Sequence, residues 1–231
     1  MEAQGFVPCD SRQRWGLHPL VLPLATKADG EVLGVLRWPS LQSKNVVVST
    51  HRQVEGADVS ASSLCLRPLG SPVQYARRAA VEADASGVAS ADVIGAAATV
   101  CGAAAAPSYT AGELTASQIK LEQFVLLRVG PFPDLWERMA RTKLEKGDVT
   151  AALVAAERAT AGNPGWGCCV WLQSQLMGTL GRREEQRDLA LATLETPLWT
   201  MGVNVAEVSG GWSATASCRP PRKRCRRLHS L

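Results

Sequence analysis

Two turn glycines 34 residues apart, Gly147 and Gly181, constrain this chain more than any other feature. Each follows an amphipathic stretch and precedes another, so the region from Phe132 to Pro197 reads as two helix–turn–helix units in register. In the first unit, Asp134 is expected to cap a helix running from Leu135 to about Lys146, its side-chain oxygen accepting an unpaired amide of the first turn. Trp136, Met139, Ala140 and Lys143/Leu144 recur at helical spacing and give that helix an apolar face. Gly147-Asp148 ends it, because glycine tolerates the left-handed backbone of a helix stop. A second helix is expected over Val149 to Ala161, with Ala152, Leu153, Ala156 and Ala159 on its face, and Asn163-Pro164-Gly165 breaks it.

This pattern resembles a tetratricopeptide repeat. With Trp136 at the repeat's fourth position, Ala140, Gly147, Ala152, Ala159 and Pro164 fall on its small or turn positions. The second copy is fainter. Trp171 lies one residue late, Ser174 matches Ala140, Gly181 matches Gly147 and Ala190 matches Ala156, while Pro197 falls one residue short. Small residues at these points let two helices approach closely. An ordinary pair of helical hairpins predicts the same local fold. Helical arrays usually need three or more repeats, so two must lean on another part of the chain, here the N-terminal portion.

The 231 residues are enough for one domain or one and a half, and 46% hydrophobic content supports a real core. The net charge of +4 misleads. Six of the basic residues, and no acidic ones, lie in 209–231, so the preceding body is slightly acidic and carries no basic face for nucleic acid. Seven cysteines show no metal-ligand spacing and read as reduced, mostly buried thiols. Residues 1–19 lack the apolar run of a signal peptide. The low-polarity stretch 91–106 carries Asp92 and is shorter than the roughly 20 apolar residues of a membrane span.

The fold class expected is α+β: a small antiparallel N-terminal sheet followed by a bundle of tetratricopeptide-like hairpins. Residues 1–14 are expected to be disordered. Residues 15–130 form a β-rich portion. His18 to Leu24, punctuated by Pro19 and Pro23, reads as an edge strand. Asp29-Gly30 reads as a hairpin turn, Val32 to Trp38 as a strand and Val46-Val47-Val48 as another. Arg52 to Ser63 reads as a loop. A helix over 71–85 starts with Ser71 as cap and Pro72 in the first turn. Most of the alanine- and glycine-rich 86–113 is expected to be a low-complexity insertion, with part of it helical. Phe124 to Leu127 reads as a strand. Residues 131–202 form the helical portion. Leu198 and Trp199 are expected to fold back and close the core, and 209–231 to be a disordered basic tail.

No phosphate-binding loop, dinucleotide fingerprint or nucleophile elbow is present. His18, His51 and His229 are far apart, and none stands at ligand spacing from a Cys or His. Glu184, Glu185 and Asp188 share a helix with Arg182, Arg183 and Arg187. Such a face is normally solvated and self-paired, with a charged docking surface as the alternative. The basic run Arg219 to Arg227 reads as a nuclear or nucleic-acid patch, a membrane-surface patch or a stretch with no selected role. The lack of helical pattern and aromatic interleaving favours the last.

Four blocks together resemble one family of plant and green-algal plastid proteins. They are Trp15 to Leu24 with Val35 to Pro39; Tyr75 to Asp84; Val129 to Trp136 with Lys146 to Asp148; and Gly181-Arg182 with Arg187-Asp188 and Pro197 to Gly202. They cover about half the chain, and it is similar in them to the Protein In Chloroplast ATPase Biogenesis family. The resemblance implies a non-enzymatic, cofactor-free factor that assists assembly of the catalytic head of the chloroplast ATP synthase through its gamma subunit, in the stroma. It also implies a transit peptide ahead of the first block; residues 1–14 are too short and too acidic to read as one. The 86–113 segment and everything after Val208 depart from the pattern.

The leading expectation is therefore an assembly or scaffold protein whose hairpins present a groove to a partner helix, as suits a coiled-coil client such as a rotary gamma subunit. Trp136, Trp171, Arg182, Arg183 and Arg187 are the candidate partner-binding residues, with the two tryptophans better suited to the core. No small-molecule substrate, metal, nucleic acid or membrane span is expected. An enzyme of unrecognised chemistry is the competing reading, which His18 or His51 beside a carboxylate or thiol would favour. A nuclear nucleic-acid binder acting through the tail is the third.

Overall fold

The computed structural model describes residues 5–38, 45–52, 65–87 and 90–213. Five strands come first: β1 (Val7–Pro8), β2 (Val21–Thr26), β3 (Glu31–Leu36), β4 (Val46–His51) and β5 (Arg67–Pro68). They form one antiparallel meander in chain order. The β2–β3 turn is closed by Lys27 and Glu31, with Gly30 at φ +85° as Asp-Gly predicts. The loop expected over 52–63 lies, from residue 53 on, outside the described residues, as does Pro39.

Two N-terminal expectations change. Phe6 is buried and Val7–Pro8 pairs with Thr26 and Ala25, so part of the stretch expected to be disordered is a strand. β2 consequently has neighbours on both sides. Pro23 is tolerated because β1 pairs only with Ala25 and Thr26, and a bulge at Pro23/Ala25 shifts the register. The sheet buries both faces. Val21, Leu36, Val48 and Leu66 point one way, and Phe6, Ala25, Leu33 and Val47 the other. Gly34 lets β2 and β3 approach closely, since a Cβ there would sit 2.7 Å from the Leu22 carbonyl oxygen.

Helix α1 (Pro72–Ser86) follows with the expected start. Ser71 Oγ accepts from the Gln74 amide at 3.2 Å, and the Gln74 side chain accepts from the Ser71 amide at 2.8 Å. Helix α2 (Ser90–Ala103) occupies much of the expected low-complexity insertion and packs along α1. Alanine favours helix, but a helix that buries small residues such as Ala97 leaves little apolar periodicity to read. Helix α3 (Glu113–Ser117) is short. Phe124 to Leu127, expected as a strand, lies in helix α4 (Leu121–Arg128). Phe124 and Val125 are buried while Leu127 is 73% exposed, so the apolar run straddles a helix. A four-residue apolar run does not distinguish the two periods.

The hairpins follow as α5 (Pro133–Glu145), α6 (Val149–Gly162), α7 (Gly167–Thr179) and α8 (Arg183–Leu194). The 34-residue offset is geometric. Gly147 and Gly181 sit at φ +76° and +75°. The Asp148 amide bonds the Lys143 carbonyl at 3.0 Å, and the Arg182 amide bonds Met177, the equivalent residue, at 2.9 Å. Side-chain capping differs, because Asp148 caps α6 through the Ala151 amide while Arg182 offers α8 no such bond. Asp134 is not the cap of α5. Phe132 holds that position, Pro133 opens the helix, and Asp134 lies in its first turn facing α1.

After a 3-10 turn (Leu198–Thr200), helix α9 (Val205–Ser213) packs on α8 and buries Val208. The stretch expected to be a tail from 209 is thus helical to 213, and 214–231 lie outside the described residues. Trp199 folds back as expected, stacking on His18 at 4.6 Å and Trp38 at 5.6 Å, and its carbonyl accepts from the Leu66 amide at 2.8 Å. Leu198 stays half exposed. Ala159, Trp166 and Cys169 join this cluster, so the two hairpins lean on the sheet. The chain is α+β, with tetratricopeptide-like helix pairs on a five-stranded sheet.

Candidate functional site

The main cleft, about 530 Å³, lies where the sheet meets the helices. Phe6, Leu33, Ser49 and Arg67 come from the sheet, Tyr75 and Arg78 from α1, Asp134 and Glu137 from α5, and Cys168 and Trp171 from α7. Its charges are largely internally paired. Arg78 donates two parallel bonds to Asp134, at 2.8 and 2.7 Å, and a third to Glu82 at 2.8 Å. Its guanidinium also stacks over Phe132 at 4.8 Å. Burial alone would lower the Arg78 pKa, but the bonds and charges of Asp134 and Glu82 raise it. Arg141 pairs with Glu137 at 2.8 Å. Burial pushes the Tyr75 phenol up to about 12.

One polar cluster in the cleft has the composition of a catalytic site. Ser49 Oγ donates to Glu31 Oε1 at 2.6 Å, Lys27 donates to the other oxygen, and His51 stands across the ladder from Glu31. Burial alone would raise the Glu31 carboxyl, but the bonds from Lys27 and Ser49 hold it below its usual value. A carboxylate so satisfied is a poor base for Ser49. His51 is exposed at the strand end. His18 is buried against Trp199, and its Nδ1 accepts from the Leu20 amide at 3.3 Å. Burial lowers its pKa. Among the described residues no group of three His, Cys, Asp or Glu could hold a metal.

Cys168 and Cys169 open α7 with sulfurs 4.0 Å apart. The contact lowers the Cys168 pKa, the neighbouring backbone amides helping, while that contact and burial raise that of Cys169.

The five candidate contact residues do not form one site. Trp136 is half-buried and bridges the sheet-facing and inter-hairpin clusters. Trp171 is buried with Ala190, Met201 and Val208. Arg182, Arg183 and Arg187 are exposed around the first turn of α8, where Arg182 pairs with Glu185 and Arg183 donates to Gln186. The pairing of Arg78 with Asp134, the bidentate contact in the cleft, was not legible in the pattern, which offered Asp134 only as a helix cap. The two are 56 residues apart, and no local signal links them.

Comparison with known families places these features. Residues 1–128 match the PAB N-terminal family model, and 133–213 match the PAB middle domain model. The chain belongs to the PAB family. It is 29% identical over 212 residues to Protein IN CHLOROPLAST ATPASE BIOGENESIS, chloroplastic, of Arabidopsis thaliana, covering 90% of this chain and 60% of that relative. No solved structure matches. The boundary between the two PAB segments falls in the turn before α5, and the cleft straddles it. Arg78 belongs to the PAB N-terminal segment and Asp134 to the middle segment. Gln74 reaches over the same seam, where a Cβ on Gly130 would meet it at 2.4 Å. No helix among the described residues of this PAB chain is long and apolar enough to cross a membrane.

Proposed function

We propose that the chain is a non-enzymatic assembly factor for the chloroplast ATP synthase, acting in the stroma on the catalytic head through the gamma subunit. Membership of the PAB family carries this reading, together with the name of the Arabidopsis relative. The paired helical hairpins support it, since stacked hairpins offer grooves to a partner helix. So does the cleft, whose carboxylates are mostly held by its own Arg and Lys side chains and by Ser49. Arg182, Arg183 and Arg187 stand exposed at the start of α8 and serve as rim contacts; Trp136 and Trp171 shape the surface from beneath.

The test is capture from a plastid extract by the full immobilised chain, read by mass spectrometry. Enrichment of the gamma subunit over other stromal proteins is the expected result. Recovery of no ATP synthase subunit by folded protein would refute the client assignment. Capture unchanged by Arg182→Glu with Arg183→Glu would remove those arginines from the contact.

A further inference from the structure

A second groove, about 280 Å³, lies between α6, α7 and α8. Its floor is Leu153, Met177 and Leu189, and Gln173 joins them. Its remaining lining residues are Glu157, Glu185 and Asp188, so three carboxylates surround an apolar floor, and none of the lining residues among those described is cationic. Glu185 pairs with Arg182. Glu157 and Asp188 have no hydrogen-bond or ion-pair partner among the described residues. Two exposed apolar side chains stand one helical turn from its carboxylates. Val154 is 47% exposed and precedes Glu157 by one turn; Leu191 is 40% exposed and follows Asp188 by one turn.

Helix α8 is divided lengthwise by charge. At about 100° per residue, Arg183 and Arg187 lie on one side, and Glu185 and Asp188 are turned well away from them. The carboxylate side borders the groove. The main cleft differs, because most of its charges neutralise one another and project little field.

We infer that the α6–α7–α8 groove docks a cationic amphipathic helix, one that sets an apolar side chain onto Leu153, Met177 and Leu189 while flanking Lys or Arg side chains meet Glu157 and Asp188. The apolar floor supplies burial and the uncompensated carboxylates select charge. The inference deepens the assembly-factor reading by naming the chemistry of the segment recognised, and it rests on that reading only in taking the occupant to be a protein.

The probe is a fluorescein-labelled amphipathic helix of roughly 18 residues built of Leu, Ala and Lys, with a control carrying Glu for Lys. Anisotropy is read against the full chain, against Glu157→Lys with Asp188→Lys, and against Asp92→Lys with Glu145→Lys, which changes net charge equally elsewhere. The Lys peptide binds the parent chain, the groove variant weakens it by about tenfold or more, and the distant variant by less than about twofold. Equal weakening by both variants, no weakening by the groove variant, or equal binding of the Glu peptide overturns the inference. If the reversal unfolds the chain by circular dichroism, Glu157→Gln with Asp188→Asn replaces it, with at least about threefold weakening expected and none counting against. Concentration-dependent self-association that the groove variant abolishes would make a second copy the occupant, and would overturn it as well. The probe contains no ATP synthase sequence. Peptide binding with failed subunit capture therefore refutes the client alone, and failed peptide binding refutes the groove alone.

Discussion

Arg78 grips Asp134 through two parallel hydrogen bonds of 2.8 and 2.7 Å, and with them joins the first helix of the PAB N-terminal segment to the first helix of the middle segment. The guanidinium is largely buried, with Glu82 on its Nε and the Phe132 ring beneath. Asp134→Asn leaves one acceptor and no charge, and should destabilise the chain by about 1–3 kcal/mol. Arg78→Lys should cost a similar amount, because an ammonium cannot reproduce the fork. Urea midpoints check both, and limited proteolysis near Gly130 should quicken in each.

Gly147 and Gly181 close equivalent turns at φ +76° and +75°, with open space where a Cβ would go. Strain alone is therefore tested. Alanine at either position should cost about 1–2 kcal/mol, and the two costs should be similar. Thermal melts of the two single variants would show it; a difference of several-fold between them would mean that the turns are not equivalent.

His18 gives the fold an acid-side pH dependence. Burial lowers its pKa below the ordinary 6.5, and its Nδ1 accepts a backbone amide, which only an unprotonated nitrogen can do. The unfolded chain therefore binds more protons as pH falls below about 6.5, and stability falls with it. His18→Gln should flatten the slope of urea midpoint against pH between about 5 and 7. An unchanged slope would assign the acid sensitivity to other groups.

The paired thiols should react unequally. Cys168 carries the lowered pKa and faces the cleft, whereas Cys169 is buried with its pKa raised. Iodoacetamide at neutral pH should label Cys168 at least about tenfold faster than Cys169. Peptide mapping after timed quenching reads the ratio, and parity would contradict the arrangement.

Trp136 is held by packing and not by its polar edge, since the buried indole Nε1 has no hydrogen-bond partner among the described residues. Trp136→Phe should cost less than about 2 kcal/mol, and Trp136→Ala about 3–5. A large loss in the Phe variant would show that the indole nitrogen matters.

What could be read from sequence divides by range. The Asp29-Gly30 turn, the Ser71 cap and the two glycines at 34-residue spacing are local signals, and each appears where its residues dictate. The sheet's strands β2, β3 and β4 follow the same logic. Phe124 to Leu127 failed because four apolar residues suit either period, and the bounds of α2 within 86–113 stayed hidden because alanine buries without leaving a stripe. Asp134 failed differently. It stands just ahead of the expected helix start at Leu135, but Pro133 fixes the start of α5 two residues earlier and Arg78 takes the carboxylate. Neither cleft nor groove was legible, since each gathers residues from three or more elements.

Two hairpins are too few to stand alone, and the sheet supplies what further repeats would otherwise provide: Trp199, beyond α8, meets His18 and Trp38, and Ala159 of α6 and Cys169 of α7 join the same cluster. Both hairpins are thereby tied to the sheet, so a duplicated hairpin, in evolution or by engineering, would have to replace that support as well as extend the stack.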